Sequence, residues 1–424
     1  MKRLAIRALF AAMVLPGAGA WAAADTAAQL PLAGDRLYAL PPEAAARQAL
    51  ATLPALRAGS IGRELAGAER ERLAAGPYEW IASAGLARRS IRASDERFRE
   101  EEASLERTVR WFGKAGQDRA IGDQGVALAE SQRADLWHEA GRALMRDWYA
   151  ALTAHAAELR LAQQHALVER LRQVAERRVK AGDGAALELM QADTELRRSG
   201  ALLEQARLDA VQARSLLAAT YATLPAPDAH ALPEPGALEA QAQVDLPHLM
   251  HDNHELALAR AESEWERLRA RRASSERMPD PTIGVRVARE RAGEERLVGL
   301  SLSMPIPGAL RSADSRAAAL RASMAQERVE QTRVRVEVDA RRVLAEQAHR
   351  YRLWIELRDV AAQSARQADL MERAYQAGET SLADALLTRR LALDAALSAQ
   401  TAQIAALAAA ARVQLDAHAL WSAD

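Results

Sequence analysis

Residues Ala309 to Ala377 carry a helical pattern with neither proline nor glycine to interrupt it. At 1.5 Å per residue such a helix extends roughly 100 Å, several times the diameter of a small domain. It must therefore lie against partners of similar length. A second long stretch runs from about Gln124 to Lys180, breaks at Ala181-Gly182-Asp183-Gly184, and resumes to Tyr221. Glycine is the residue expected where a helix ends in a left-handed turn, so the chain is predicted to fold back at Gly182 and at Gly378, giving antiparallel helical hairpins. Trp137, Leu144, Trp148, Leu152 and Leu159 recur at steps of four and seven, the spacing of a packing stripe. The composition suits paired helices: alanine, leucine, arginine and glutamate dominate, with 4% aromatic and 27% charged residues.

The order of segments repeats. Glu176-Arg177-Arg178-Val179-Lys180-Ala181-Gly182-Asp183 aligns with Glu372-Arg373-Ala374-Tyr375-Gln376-Ala377-Gly378-Glu379, 196 residues on, and Glu188 falls on Asp384. Leu53-Pro54-Ala55-Leu56 matches Asn253-His254-Glu255-Leu256, 200 residues on. Matching features in one order at nearly one spacing indicate an internal duplication. The divisions expected are a first repeat over 41–221, with a β-hairpin near 77–112 and a turn near 181–184, and a second over 251–419, with a β-hairpin near 281–306 and a turn near 377–380. Residues 25–40 read as irregular, 222–250 as a proline-containing linker, and 420–424 as a tail.

Between the helices lie two non-helical blocks. Ile283, Val285 and Val287 alternate with Gly284, Arg286 and Ala288; after a polar turn, Val298, Leu300, Leu302, Met304 and Ile306 alternate with small or polar residues. Period-two alternation in two runs of about ten residues reads as a β-hairpin long enough for a tilted crossing of a bilayer. The first block is noisier: Trp80, Ala82, Ala84 and Leu86 on one strand, Leu105, Val109 and Trp111 on the other, and the charged stretch Arg88 to Glu102 read as an exposed loop. Four strands cannot close a barrel, and open edges are not tolerated in lipid. Three chains would supply about twelve strands, within the range of membrane barrels. The bland alternative is a soluble coiled-coil protein decorated with two hairpins.

The N-terminus narrows the setting. Lys2, Arg3 and Arg7 precede the apolar run Ala8 to Leu15, then Pro16-Gly17 and several small-x-small patterns, so residues 1–24 read as a cleaved export signal. No later stretch has 18 or so uninterrupted apolar residues. The 57 basic and 57 acidic residues balance, which disfavours a nucleic-acid partner. The chain has no cysteine, which excludes disulfides, thiolate metal sites and lipid attachment through that residue.

The tandem repeat, Asn253-His254-Glu255-Leu256, Met278-Pro279-Asp280-Pro281, Met304-Pro305-Ile306-Pro307-Gly308 and the run Tyr375 to Leu387 resemble the TolC-like outer-membrane efflux proteins over about Leu40 to His418. The proline-flanked hairpin looks most like the heavy-metal branch, the outer-membrane components of cobalt–zinc–cadmium or copper–silver exporters. The resemblance implies a mainly α fold with a small antiparallel β part, trimerising into an α-helical tunnel and a 12-stranded transmembrane β-barrel. It also implies an outer-membrane location, a periplasmic adaptor (a membrane fusion protein) and an inner-membrane resistance–nodulation–division pump as partners. Type I secretion or drug efflux would use the same architecture, and a soluble periplasmic adaptor or scaffold is the rival of another class. On the resemblance, Gly182, Asp183, Glu188, Tyr375, Gly378, Glu379 and Asp384 sit at the periplasmic tip, where the tunnel narrows and the adaptor binds. Trp80, Leu86, Val109, Trp111, Ile283, Val285, Val287, Val298, Leu300 and Leu302 are the expected membrane-strand residues. The first tip departs from the family pattern: Val179 stands where Tyr375 does, and Gly184-Ala185 where Thr380-Ser381 does.

Little of the sequence points to catalysis. There is no nucleophile–base set, phosphate loop or glycine fingerprint, so no enzymatic activity and no cofactor are expected. His251-Asp252-Asn253-His254-Glu255 is the one run with metal-like spacing, but Asn253 reads as a helix N-cap with Glu255 in the first turn, and no metal ligands are assigned. His138, His155, His165 and His349 are isolated and read as solvated or packed. Asp183, Glu188, Glu379 and Asp384 read either as helix-end acids or, under threefold symmetry, as carboxylate rings that concentrate cations. Arg286, Arg289, Arg291 and Arg296 cluster near the second hairpin and could face a pore or lipid headgroups.

Overall fold

The computed structural model describes residues 37–92, 95–236 and 244–422. The expected export signal (1–24), residues 25–36 of the segment read as irregular, part of the expected linker and the last two residues lie outside the described residues. In chain order the elements are α1 (Glu43–Ala51), α2 (Pro54–Ala75), β1 (Trp80–Ile91), β2 (Glu96–Thr108), α3 (Lys114–Lys180), α4 (Ala186–Thr220), α5 (Leu246–His251), α6 (His254–Ser275), β3 (Thr282–Glu290), β4 (Glu295–Ser303), α7 (Ala309–Gln376) and α8 (Leu382–Asp416). The two halves match in length: α2 and α6 have 22 residues each, α3 has 67 and α7 has 68, and α4 and α8 have 35 each.

The long helices pair as antiparallel hairpins, α3 with α4 and α7 with α8, and α2 and α6 pack beside α3. Alanines at the contacts (Ala318, Ala325, Ala340 and Ala368 of α7; Ala406, Ala410 and Ala411 of α8) are buried and let the backbones approach closely. Helix α3 begins at Lys114, ten residues before the sequence suggests. Gly116, Gly122 and Gly125 lower the local helix propensity there, but packing against α2 and α6 overrides it. One window of α8 reaches a mean hydropathy of 1.2, enough by length and composition for a membrane helix. The sequence reading, which counted uninterrupted apolar runs, passed over it. In the fold that apolar surface meets α7, α3 and α4.

The main core lies around the middle of α3. Leu144, Trp148 and Leu152 of the expected stripe are buried against Leu50 of α1 and against Leu407, Ala411 and Leu415 of α8, with Trp137 and Leu159 packed on the margin. The Trp148 indole donates to the Ala39 carbonyl (2.7 Å) and the Tyr149 hydroxyl to the Tyr38 carbonyl (2.6 Å), which pins the segment before α1 across the bundle.

The strands form one antiparallel sheet in the order β1-β2-β3-β4. The first hairpin departs from expectation. The charged stretch Arg88 to Glu102 is not a loop; the strands continue through it, pairing Arg88 with Arg99 and Leu86 with Glu101. Charged side chains can occupy both faces of a strand, here with Arg97 and Arg99 on one and Glu96, Glu100 and Glu102 on the other, so the strand survives although its hydrophobic signal fades. Val109 and Trp111 in turn lie past the end of β2. There the Val109 amide donates to the Pro281 carbonyl (2.8 Å), and the chain turns at Gly113 (φ 82°) into α3.

Candidate functional site

Three regions could carry function: the two faces of the sheet, the junction below it, and the paired turns at the far end. Registry decides the first. Opposite residues in an antiparallel ladder share a face, so Trp80, Ala82, Ala84 and Leu86 of β1, Leu105 of β2, Ile283, Val285 and Val287 of β3, and Val298, Leu300 and Leu302 of β4 lie together. Together they form an apolar band, bordered at its proximal end by Arg107, whose guanidinium lies 5.3 Å from the Trp80 ring, and Leu86, Val298, Leu300 and Leu302 are 72–87% exposed along it. Beyond its distal end the same face carries Arg88, Arg97, Arg99, Arg289 and Arg296. Arg88 is directly opposite Arg99, and Arg289 opposite Arg296. One acid, Glu101, interrupts this basic rim, 3.6 Å from Arg99.

The other face is the reverse in character. Glu96, Glu100, Glu102, Glu106, Glu290 and Glu295 project from it, against Arg89 and Arg286. Arg286 pairs with Glu102, and Arg89 with Glu100 (2.9 Å) and Glu290 (3.7 Å). The arginines around the second hairpin thus divide: Arg286 goes to the acidic face, Arg289 and Arg296 to the apolar-face rim, and Arg291 to the turn, paired with Glu295 (3.1 Å).

Below the sheet, Asp280 ties the two halves together. Its Oδ1 accepts from Lys114 Nζ (2.8 Å) and from the Trp111 amide (2.8 Å), while Oδ2 accepts from the Tyr78 hydroxyl (2.8 Å). Lys114 is 1% exposed and also donates to the Met278 carbonyl (2.7 Å). Burial works against the Asp280 carboxylate, but these donors outweigh it and hold its pKa below the ordinary value. Met278-Pro279-Asp280-Pro281 carries the family resemblance in the sequence, and the role of Asp280 emerges only in the fold. An aspartate between two prolines was the available signal.

At the opposite end the two turns meet. Both have the Schellman pattern: Asp183 N donates to Arg178 O and Gly182 N to Val179 O, as Glu379 N does to Ala374 O and Gly378 N to Tyr375 O. Gly182 (φ 78°) and Gly378 (φ 80°) supply the left-handed residue. Tyr375 is fully buried among Leu171, Ala175 and Ala192 of the first half and Leu382, Ala385 and Leu386 of the second. The Arg178 guanidinium lies over its ring at 5.1 Å. Burial, with the Glu188 carboxylate nearby, raises the Tyr375 phenol above its usual pKa. The acids diverge in role. Asp183 is exposed and 3.6 Å from Arg178, while Glu188 is half-buried in the first turn of α4. Asp384 bonds Ser381 Oγ, which caps α8 by accepting from the Asp384 amide (3.1 Å). Between α4 and α8 a groove of about 420 Å³ exposes Leu187, Met190 and Leu387.

His254 is where the structure adds most. Asn253 caps α6 as expected, its side chain accepting from Leu256 N (2.9 Å). But His254 is not alone: ring centroids lie 5.6 Å from His138 and 4.4 Å from His418, and His138 is 5.3 Å from His418. Burial, with both other histidines adding to it, pushes the His254 pKa down to about 4. Burial opposes ionisation of Asp416, yet His138, Arg142 and Arg412 hold it down at about 2.

Solved structures share this fold. The Campylobacter jejuni CmeC outer membrane channel matches at a TM-score of 0.73 with 14% identity, over 90% of this chain and 86% of that one. The Vibrio cholerae outer membrane protein VceC matches at 0.73 with 15% identity, over 89% and 95%. The open state of the Neisseria gonorrhoeae MtrE outer membrane channel matches at 0.65 with 16% identity, over 90% and 88%. No family model and no curated protein sequence matches the chain. The chain therefore has the fold of outer-membrane channels, the fold that the sequence resemblance implied.

Proposed function

We propose that three copies of this chain form an outer-membrane channel, closing their sheets into a 12-stranded barrel and their helices into a periplasmic tunnel. The observation that carries this reading is the sheet: an apolar face, an acidic face, and two outer strands, β1 and β4, whose outer edges have no partner strand among the described residues. In lipid such edges must be paired, and neighbouring copies are the simplest source. The single chain exposes 27359 Å², against about 16,000 Å² for a globular monomer of its mass, which supports an elongated protomer with large faces left for neighbours.

In this assembly the apolar band meets acyl chains and Trp80 sits at one interface, as aromatics do in barrel girdles. The arginine rim faces the anionic headgroups at the other. Arginines opposed at a cross-strand pair repel, and lipid phosphates would neutralise them with bidentate bonds. Six glutamates against two arginines on the inner face favour passage of cations. That bias, with the sequence resemblance to the heavy-metal exporters, leads us to assign heavy-metal cations as cargo. Gly182, Asp183, Glu188, Tyr375, Gly378, Glu379 and Asp384 form the narrow periplasmic end, and the groove beside Leu187 and Leu387 takes a periplasmic adaptor that links the channel to an inner-membrane pump. We read the matching halves as a tandem duplication.

Purified protein should require detergent, run as a trimer, and conduct in planar bilayers with cations favoured over anions. Glu102→Gln with Glu106→Gln should reduce that preference without abolishing conductance. A detergent-independent monomer that never conducts would end this reading.

A further inference from the structure

We propose that His138, His254 and His418 form a binding site for a divalent transition-metal cation of the zinc class. The site belongs to one protomer and lies far from the sheet and the tip, so it stands whether or not the chain conducts. His138 comes from the middle of α3, His254 from the first residue of α6, and His418 from the segment after α8. Three residues drawn from such separate stretches bring one ring nitrogen each to within 4.8 Å of one another. For zinc bound at about 2.0–2.1 Å in tetrahedral geometry the nitrogens need to be roughly 3.3 Å apart, a change that small rotations of the half-buried His254 and His418 rings toward the buried His138 supply.

The surroundings have the form of a built metal site. Ligating histidines are usually held through their second nitrogen by a carboxylate or carbonyl, which fixes tautomer and orientation. Both arrangements are present. His138 Nε2 lies 3.1 Å from Asp416 Oδ1, and His418 Nε2 lies 2.8 Å from the Asp252 carbonyl. A carboxylate and a carbonyl only accept, so both Nε2 atoms carry the proton and both Nδ1 atoms keep a lone pair. Asp416 is itself fixed by Arg142 Nε (3.0 Å) and Arg412 Nε (2.7 Å). These guanidinium groups neutralise Asp416, which leaves the three imidazoles as the ligand set and water in the fourth position. His418 takes the left-handed position (φ 58°) of the turn that ends α8, where Ala419 N donates to Gln414 O and His418 N to Leu415 O. Three imidazoles suit zinc, copper, nickel or cobalt and disfavour magnesium and calcium, which take oxygen ligands. A bound ion would fasten the chain's end to α3 and to the start of α6.

The test uses the full chain, purified in detergent and stripped with a chelator. Titration with Zn²⁺ should saturate at one ion per chain, and Co²⁺ should give the intense visible bands of tetrahedral coordination. His254→Ala and His418→Ala should each abolish both signals. His251→Ala, which removes an exposed neighbour bonded to Asp252, should leave them intact. Asp416→Asn should weaken binding about 10–100-fold through loss of the carboxylate that orients the His138 ring. Circular dichroism shows whether each variant keeps its helices, and only folded variants are scored. Less than a tenth of an ion per chain at saturating Zn²⁺, or full binding by folded His254→Ala, overturns the proposal.

Discussion

The two turns at the ends of α3 and α7 have one design for stopping a helix and two for starting the next. Both α3 and α7 end in the same hydrogen-bond pattern around a left-handed glycine. Helix α8 then restarts from Ser381, whose hydroxyl accepts from the Asp384 amide. Helix α4 restarts from Ala185, which has no side chain able to cap. What the first turn lacks in capping it recovers across the interface, where Arg178 covers the Tyr375 ring and donates to the Asp183 carbonyl (3.3 Å). Gly184 belongs to the same turn: a Cβ there would lie 3.1 Å from Val179 N, so a larger residue would require the neighbouring backbone to give by a few tenths of an ångström. The first turn depends on the second more than the reverse.

The strongest way to break that asymmetry is Tyr375→Ala. Removing a buried aromatic costs about 3–5 kcal/mol, and the loss should fall on both turns, opening the bonds after Arg177, Arg178 and Lys180 to trypsin. Cleavage confined to the second turn would contradict the interlock. Next in size, Gly182→Ala and Gly378→Ala each place a Cβ in the left-handed region at about 1–2 kcal/mol; thermal unfolding should show equal losses, since the stop design is shared. Ser381→Ala should cost the second turn about 1 kcal/mol. Ala185→Ser, which sets a hydroxyl three residues before Glu188, should stabilise the first by a similar amount. Hydrogen exchange at the amides of residues 187–188 and 383–384 reports both. The smallest effect is alkaline. Because the Tyr375 pKa is raised in the fold, its contribution is complete below the ordinary value of 10.0 and is lost as pH climbs through the folded value. Trypsin sensitivity should rise only above that range, and Tyr375→Phe should remove the rise.

Much of this was legible from residue order. Helix stops, strand parity and the duplicated layout each rest on local signals: a glycine after a periodic run, alternation by two, one pattern met twice. The charged continuation of the first hairpin was misread because apolar alternation was taken as the signal, whereas there the β2 charges divide by face, Glu96, Glu100 and Glu102 on one and Arg97 and Arg99 on the other. Asp280 and the histidine trio were invisible for another reason. Lys114 and Asp280 are 166 residues apart, and His138 and His418 farther still, so only the folded chain brings them together. Even the N-cap reading of Asn253 was right and incomplete, since the next residue serves a different neighbourhood.

The unpaired margins of β1 and β4 have a genetic consequence. If every barrel seam joins one copy's β4 to the next copy's β1, no copy can be intact on its own account. A proline in the middle of β4, as in Leu300→Pro, would poison whichever assemblies it joined. Equal dosage of altered and unaltered alleles would then leave about one assembly in eight sound, so such an allele should be dominant in a merodiploid cell, whereas a null allele should be recessive.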